Sequence, residues 1–439
     1  MNVRKIALEL LLEYENEGKY INLSLSSHKA DSLTREERSF LTALLYTTVE
    51  KKITYDYYIG ALAERSLDKI DTVTKNVLRL GFSQILDMDF VPDFAAVNET
   101  VSLAKNSGSR AFVNGVLRRL IREKGNLPLP KREKNISRYL SVRYSFPLHI
   151  VKHFINVLGE SGAEEYLDAS SKIPPTDLSV NTLKISVDDF IKKLSDSGIS
   201  ATAHEISPIT VRIFGSVDPR EIRGYKEGEF FVQDAASAIA VTALNPRPSE
   251  RIIDVCSAPG GKSMAAAILS ENKGEIISYD LHKSKLSLIE DSANRLSLSS
   301  VSVSERDATC PDESLFGRAD KVICDLPCSG LGVLRKKPDL RYKSKEGIDA
   351  LPALQYEILK SSVKYLKDGG VILYSTCTVN PEENEGVVER FLRENEGYTP
   401  LDFNLSGLHS ENGRLTLYTH IHNTDGFFIA LIKKGTSNE

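Results

Sequence analysis

Two cysteines carry the most reactive chemistry in this chain: Cys328 in DLPCSG (325–330) and Cys377 in STCT (375–378), each at the exit of a predicted strand beside Pro, Ser or Thr. A thiol becomes a nucleophile where it is accessible and near positive charge, whereas a cysteine inside an apolar strand is inert packing, which is the reading for Cys324. If the two strands are neighbours, both sulfurs face one pocket, with Lys262 and the basic run 335–337 available to favour thiolate. The five cysteines (256, 310, 324, 328 and 377) are odd in number and confined to the last two-fifths of 439 residues, which suits reduced thiols better than a disulfide framework. Cys324 and Cys328 are spaced C-x3-C with no second pair or nearby His to complete a tetrahedral shell, so no metal is expected.

Three acids, Asp254, Asp280 and Asp307, stand at the ends of three successive predicted strands. The first begins DVCSAPGGKS (254–263), whose glycines let backbone N–H groups approach a ligand and whose end opens a helix, a place that favours negative charge. It is neither G-x-G-x-x-G nor a Walker loop, because Gly260-Gly261-Lys262-Ser263 lacks the earlier glycine, and a nucleoside triphosphate is disfavoured. Asp280 can accept from both hydroxyls of a ribose, and Asp307 is placed for the edge of an adenine. A lone acid after a strand is commonly a cap or turn former. Three in succession suit an adenosine-containing cofactor without a phosphate chain.

These residues need a scaffold, and the pattern after residue 251 supplies it. Apolar runs (RIIDVC, GEIISYD, VSVSERD, KVICDLP, GVILYSTC) alternate with helical stretches, as in a parallel sheet covered on both faces. A doubly wound α/β domain is expected over 246–439, with ligands at the carboxyl ends of its strands. The first 130 residues read as a helix bundle: Val3, Ile6, Ala7, Leu10, Leu11 and Tyr14 recur at helical spacing, and Thr34 with Glu37 forms a capping box. GNLPLPKREK (125–134) should end it. Between them, 131–245 reads as a linker and a small α/β module, with strands in LSVNTLKI (178–185) and ITVRIF (209–214) around a helix at 188–198.

Two thiols, a carboxylate and an adenosine cofactor fit one reaction. Carbon 5 of cytosine is a poor nucleophile; a thiolate added at carbon 6 turns it into an enamine carbon that attacks an electrophilic methyl, and a second group then helps expel the thiol. DVCSAPGGKS, DLPCSG and STCTVNPEENE, in that order, resemble the S-adenosylmethionine-dependent RNA cytosine-5 methyltransferases of the NOL1/NOP2/Sun family. The resemblance extends through VNTLK (180–184) and FFVQDAASAIA (230–240), and residues 91–123 resemble a NusB-type RNA-binding helical bundle. It implies a Rossmann-like catalytic domain in which Cys377 is the nucleophile and Cys328 assists release of the product. Asp325 would bind the flipped cytosine or the methionyl end of the cofactor, and Lys262 would line the same pocket. S-adenosylmethionine would lie on Cys256, Ser257, Ala258, Pro259, Gly260, Gly261 and Lys262, with Asp280 on its ribose and Asp307 near its adenine. Family members often carry alanine where Ser257 stands and histidine where Lys337 stands.

The implied partner is 16S ribosomal RNA, free or in an early small-subunit assembly intermediate. The net charge of −4 conceals segregation that agrees: residues 110–152 hold eleven basic residues against Glu123 and Glu133, and 335–345 hold six against Asp339. A solvated face is the competing explanation for either run; two such runs in an acidic protein favour a polyanion. Tyr144 and Phe146 could stack on bases, but aromatic residues at such positions are more often core. No membrane-length apolar stretch, unbroken secretory segment or heptad repeat is present, so a cytoplasmic monomer is expected. Two other functions remain open. A DNA cytosine-5 methyltransferase would use the Pro327-Cys328 pair, with Cys328 attacking, and a non-catalytic RNA-binding or antitermination factor would use the bundle alone.

Overall fold

Thr34 starts a helix as its spacing from Glu37 predicts: its hydroxyl accepts from the Glu37 N–H at 3.2 Å, and the Glu37 carboxylate accepts from the Thr34 N–H at 2.9 Å. The computed structural model describes residues 2–17, 33–215 and 217–436. Contacts divide the chain into two compact units, Met1–Ser171 with Lys337–Tyr342, and Lys172–Lys336 with Lys343–Glu439.

The first unit is helical. Val3–Glu17, Arg35–Glu50, Lys52–Ala63, Asp93–Ser102 and Ser107–Glu123 surround Thr72–Asp87, which is buried along most of its length. Gly81 lies so close to Leu117 that a Cβ there would stand 2.7 Å from a leucine methyl, which fixes the approach of these two helices. The buried Arg79 guanidinium pairs with Asp56 and Glu15 at 2.7 and 2.6 Å. The bundle pattern ends at Lys124–Asn126, as the prolines of 125–134 require, and two more helices follow, Ile136–Tyr144 and Leu148–Ala169. Tyr144 and Phe146 are core, not stacking platforms. Part of the second basic run is also internal. Arg341 has no exposed surface, its guanidinium reaches the carbonyls of Tyr144 and Ser170 at 3.3 and 3.1 Å, and it lies 3.9 Å over the Phe146 ring.

The second unit opens with a four-stranded antiparallel sheet of order β2-β3-β1-β4: β1 Thr176–Val180, β2 Ala201–Ala203, β3 Thr210–Ile213 and β4 Phe230–Val232. Helix Val187–Asp196 packs on it through Phe190 and Leu194. The strand expected through residue 185 stops at Val180, because the buried Asn181 amide turns to the carbonyls of Gly228 and Leu296, both at 3.0 Å, and 181–184 closes a turn.

The remaining strands are β5 Arg251–Asp254, β6 Glu275–Asp280, β7 Val301–Glu305, β8 Ala319–Asp325, β9 Leu366–Thr376, β10 Tyr398–Pro400, the short pair β11 Asn404–Leu405 and β12 Leu408–His409, β13 Arg414–Leu417 and β14 Phe427–Lys434. They form a sheet of order β10-β14-β9-β8-β5-β6-β7, with β13 on β14 and the β11–β12 pair apart. Strands β5 to β9 are parallel as expected, but β14 joins antiparallel to β9, so the sheet is mixed. Alternation of strands with helices could not reveal β14, whose FFIAL run is buried on both faces. Period-two alternation sends Ile252, Ile276 and Leu373 into one core and Ile253, Val322 and Ile372 into the other, beneath helices on both faces. The strand order reverses between β5 and β8, and the motifs sit on the strand ends at that switch. No helix among the described residues is long and apolar enough to cross a membrane.

Candidate active site

The loop after β5 is fixed by its neighbour β6. Ser257 donates through both N–H and hydroxyl to the Tyr279 carbonyl at 2.8 Å, and Ala258 N–H donates to Asp280 at 3.1 Å. Ser257 therefore ties the loop to the sheet through a bond that alanine could not make. Gly260, at φ 107°, turns the chain into helix Gly261–Leu269 without a side-chain cap. Asp280 also accepts from His282 N–H at 3.0 Å, and each of its oxygens keeps a lone pair for a ribose hydroxyl. Asp254 is fully buried; it accepts from Ser263 at 2.6 Å, and burial pushes its carboxyl up to about 7.

At the end of β8, Asp325 accepts from Lys262 Nζ at 2.6 Å and from the Ser375 hydroxyl of β9 at 2.9 Å. Lys262 Nζ also reaches Ser237 Oγ at 3.3 Å and lies 4.9 Å over the Phe427 ring. Because β8 and β9 are neighbours, the loops that follow converge, and Cys328 Sγ stands 2.9 Å from Cys377 Sγ. The bond to Cys377 and burial push the Cys328 thiol well above its ordinary range, which keeps it protonated and able to donate toward Cys377. Burial likewise pushes Cys324 up to about 12, in keeping with inert packing.

A cavity of about 250 Å³ is lined by Gln233, Asp234, Ser237, Asp254, residues 256–259, Gly261, Lys262 and Asp325. Gly260, Asp280 and Asp307 are not among its walls; Asp307 is exposed and closes a turn on Thr309, its Oδ1 accepting from the N–H at 2.8 Å and the hydroxyl at 2.7 Å. The expected cations near the thiols are engaged elsewhere. Arg335 pairs with Asp425 at 2.9 Å, and Lys336 with Asp425 at 2.8 Å and with Asp234. Lys343 donates to the main-chain carbonyl of Cys328 at 2.9 Å.

The sequence reading missed Glu383. This fully buried carboxylate accepts from Ser329 N–H at 2.8 Å, Gln355 at 2.9 Å and Asn380 at 3.0 Å, while Gln355 also donates to the Pro327 carbonyl at 3.0 Å. It clamps the loops of both cysteines together, and the Ser329 and Thr378 hydroxyls meet between them at 2.7 Å. The signal was the acidic NPEENE stretch (380–385); the helix that follows starts at Glu385 and leaves 380–384 as the clamp. Among the described residues no group of three or more His, Cys, Asp or Glu forms a metal site.

Comparison with known proteins gives matches to the NusB family over residues 1–122, to the ferredoxin-like domain of RsmF/B-like methyltransferases over 146–219, and to the 16S rRNA methyltransferase RsmB/F family over 241–433. A probable ribosomal RNA small subunit methyltransferase B of Bacillus subtilis (strain 168) is 34% identical, covering 99% of each chain, and the ribosomal RNA small subunit methyltransferase B of Yersinia enterocolitica is 30% identical with the same coverage. Among solved structures, PH0851 superposes with a TM-score of 0.80 at 25% identity over 99% of this chain and 97% of its own. NSun6 from Pyrococcus horikoshii with SFG gives 0.61 at 25% identity, over 66% of this chain and 99% of its own.

Proposed function

Since the chain belongs to the RsmB/F family of 16S rRNA methyltransferases, we propose that it methylates carbon 5 of a cytosine in 16S ribosomal RNA through a covalent bond between Cys377 and carbon 6 of the base. The observation that carries this reading is the pair of sulfurs 2.9 Å apart at the carboxyl edge of the sheet, Cys377 lying two residues beyond the Ser375 that holds Asp325.

S-adenosylmethionine, whose electrophilic methyl supplies the group transferred, would be held by the 256–262 loop and Asp280, with its methionyl end in the cavity. The uncapped helix start and the buried atoms Gln233 Nε2 and Asp254 Oδ1, which have no hydrogen-bond partner among the described residues, offer polar groups for it. The chain's own residues do the rest. Cys377 thiolate adds to carbon 6, and Asp325, held by Lys262 and Ser375, accepts from the exocyclic amine of the flipped base. Carbon 5 takes the methyl; a solvent water then accepts the carbon-5 proton, the pair of that C–H bond forms the C5–C6 double bond, the carbon–sulfur pair leaves on Cys377, and Cys328 protonates the departing sulfur. Incubating the protein with S-adenosylmethionine and deproteinised 16S RNA, then digesting to nucleosides, should give 5-methylcytidine by mass spectrometry. A methyl group on another atom or base would refute the reading.

The Glu383 clamp sets the spacing on which this chemistry depends. Removing it in Glu383→Ala leaves three buried donors unpaired, a cost of about 1–3 kcal/mol each. The variant is expected to melt at lower temperature and to methylate at least ~100-fold more slowly at temperatures where it is folded, with cofactor affinity within about twofold of wild type. An unchanged rate would show that the clamp does not position the thiols.

Ten of the eleven basic residues in 110–152 are exposed, which supports an RNA-binding surface on the helical unit. The substrate is then 16S RNA, free or in an early assembly intermediate, bound by a monomer. Contacts to about six phosphates would weaken RNA binding by roughly 10³-fold between 50 and 200 mM salt, and Arg118→Ala with Arg122→Ala should lower the log–log slope by about 2. A flat salt response would contradict a surface that tracks phosphates.

A further inference from the structure

Gln233 is 94% buried yet its amide nitrogen has no hydrogen-bond partner among the described residues. A buried donor left unpaired is costly, so such an atom in a cavity wall points to a ligand acceptor. Its setting is rigid. The fully buried Ser179 hydroxyl of β1 donates to the Gln233 carbonyl oxygen at 2.7 Å, and the next residue, Asp234, caps helix Ala235–Leu244 through the Ala236 N–H at 2.9 Å. The free end of the amide lies over the glycine loop: a Cβ on Gly261 would stand 3.3 Å from Gln233 Nε2, and both residues line the same cavity.

Two donor features therefore meet at one spot. The nine-residue helix Gly261–Leu269 starts there with no side-chain cap, so its first N–H groups and the positive end of its dipole face the cavity. Gln233 Nε2 adds a further donor from a different element. In the wall of the same cavity Asp254 has a buried oxygen, Oδ1, with no hydrogen-bond partner among the described residues; it accepts from a donor when ionised and can donate when protonated. Donors and an orphan carboxylate oxygen in the wall of one cavity are the complement of an α-carboxylate beside an α-ammonium, the two charged groups at the methionyl end of S-adenosylmethionine.

We propose that Gln233, contributed by the segment just before the catalytic domain, binds the α-carboxylate of the cofactor's methionyl end and so selects the intact amino-acid group. The inference rests on the reading that this cavity takes S-adenosylmethionine.

The test measures, by calorimetry on the full chain without RNA, the binding of three compounds: S-adenosylmethionine, decarboxylated S-adenosylmethionine and 5′-methylthioadenosine. The second lacks only the carboxylate; the third lacks the whole amino-acid group. Gln233→Leu should weaken S-adenosylmethionine about tenfold or more, the scale of one hydrogen bond to a charged group, and leave the other two within twofold. Gln233→Glu, which sets a carboxylate against a carboxylate, should weaken the first further. Should Gln233→Leu not fold, Gln233→Asn keeps the amide but shortens its reach and should show the same selective loss. Equal loss for all three compounds, or none for the first, overturns the role of Gln233. Failure of the wild-type protein to bind any of them overturns the cofactor reading itself.

Discussion

Cys377→Ala protein is expected to form no covalent complex with RNA and to lose methylation by at least about a thousandfold, the scale on which removing a nucleophile acts. Cys328→Ala should behave differently. Its Cys377 still adds to carbon 6, but the thiol that stood 2.9 Å away to protonate the departing sulfur is gone, so adduct accumulates and turnover falls. Denaturing gels of each variant with S-adenosylmethionine and 16S RNA distinguish the roles. The reverse pattern would make Cys328 the nucleophile, the assignment of a DNA-type enzyme. No adduct and no methylation even by wild-type protein would favour a factor that binds RNA without modifying it.

Asp325 should matter almost as much. Its two oxygens are divided between Lys262 and Ser375, so it is the partner of a buried cation and, in the proposed mechanism, the acceptor for the base. Asp325→Asn keeps the shape and the Ser375 contact but removes the charge that balances Lys262. Because a positioned carboxylate in such a site contributes about 10²- to 10⁴-fold, single-turnover methylation at saturating cofactor should fall within that range while RNA affinity changes little. A loss below about threefold would remove Asp325 from the chemistry. Equal weakening of RNA binding and of rate would assign it to ground-state binding alone.

The three-part architecture and the loops that bear the chemistry were legible because both rest on local pattern. Thr34 and Glu37 announce a helix start through two side chains, and the motif at 254–263 announces a strand, a turn and a helix through its glycines. What escaped depends on tertiary partners. Arg335 and Lys336 read as free cations, yet Asp425, ninety residues later in the chain, takes both. That Asp280 holds the 256–262 loop through Ala258, while one oxygen of Asp307 closes a turn on Thr309, also lay beyond the local pattern. Gln233 and Glu383 stand in legible motifs, but their settings do not show there: one matters because its donor is orphaned beside Gly261, the other because three donors converge on it. Strand β14 was hidden for a similar reason, since an apolar run shows neither its direction nor its neighbour.

The most direct test of the central claim uses 16S RNA transcribed with 5-fluorocytidine, incubated with wild-type protein and S-adenosylmethionine. Fluorine at carbon 5 cannot leave as a proton does, so the carbon–sulfur bond persists after methyl transfer, and the complex can be digested and sequenced by mass spectrometry. The account predicts a cytosine-derived adduct on Cys377; an adduct on Cys328, or methylated RNA with no adduct on either thiol, would contradict it.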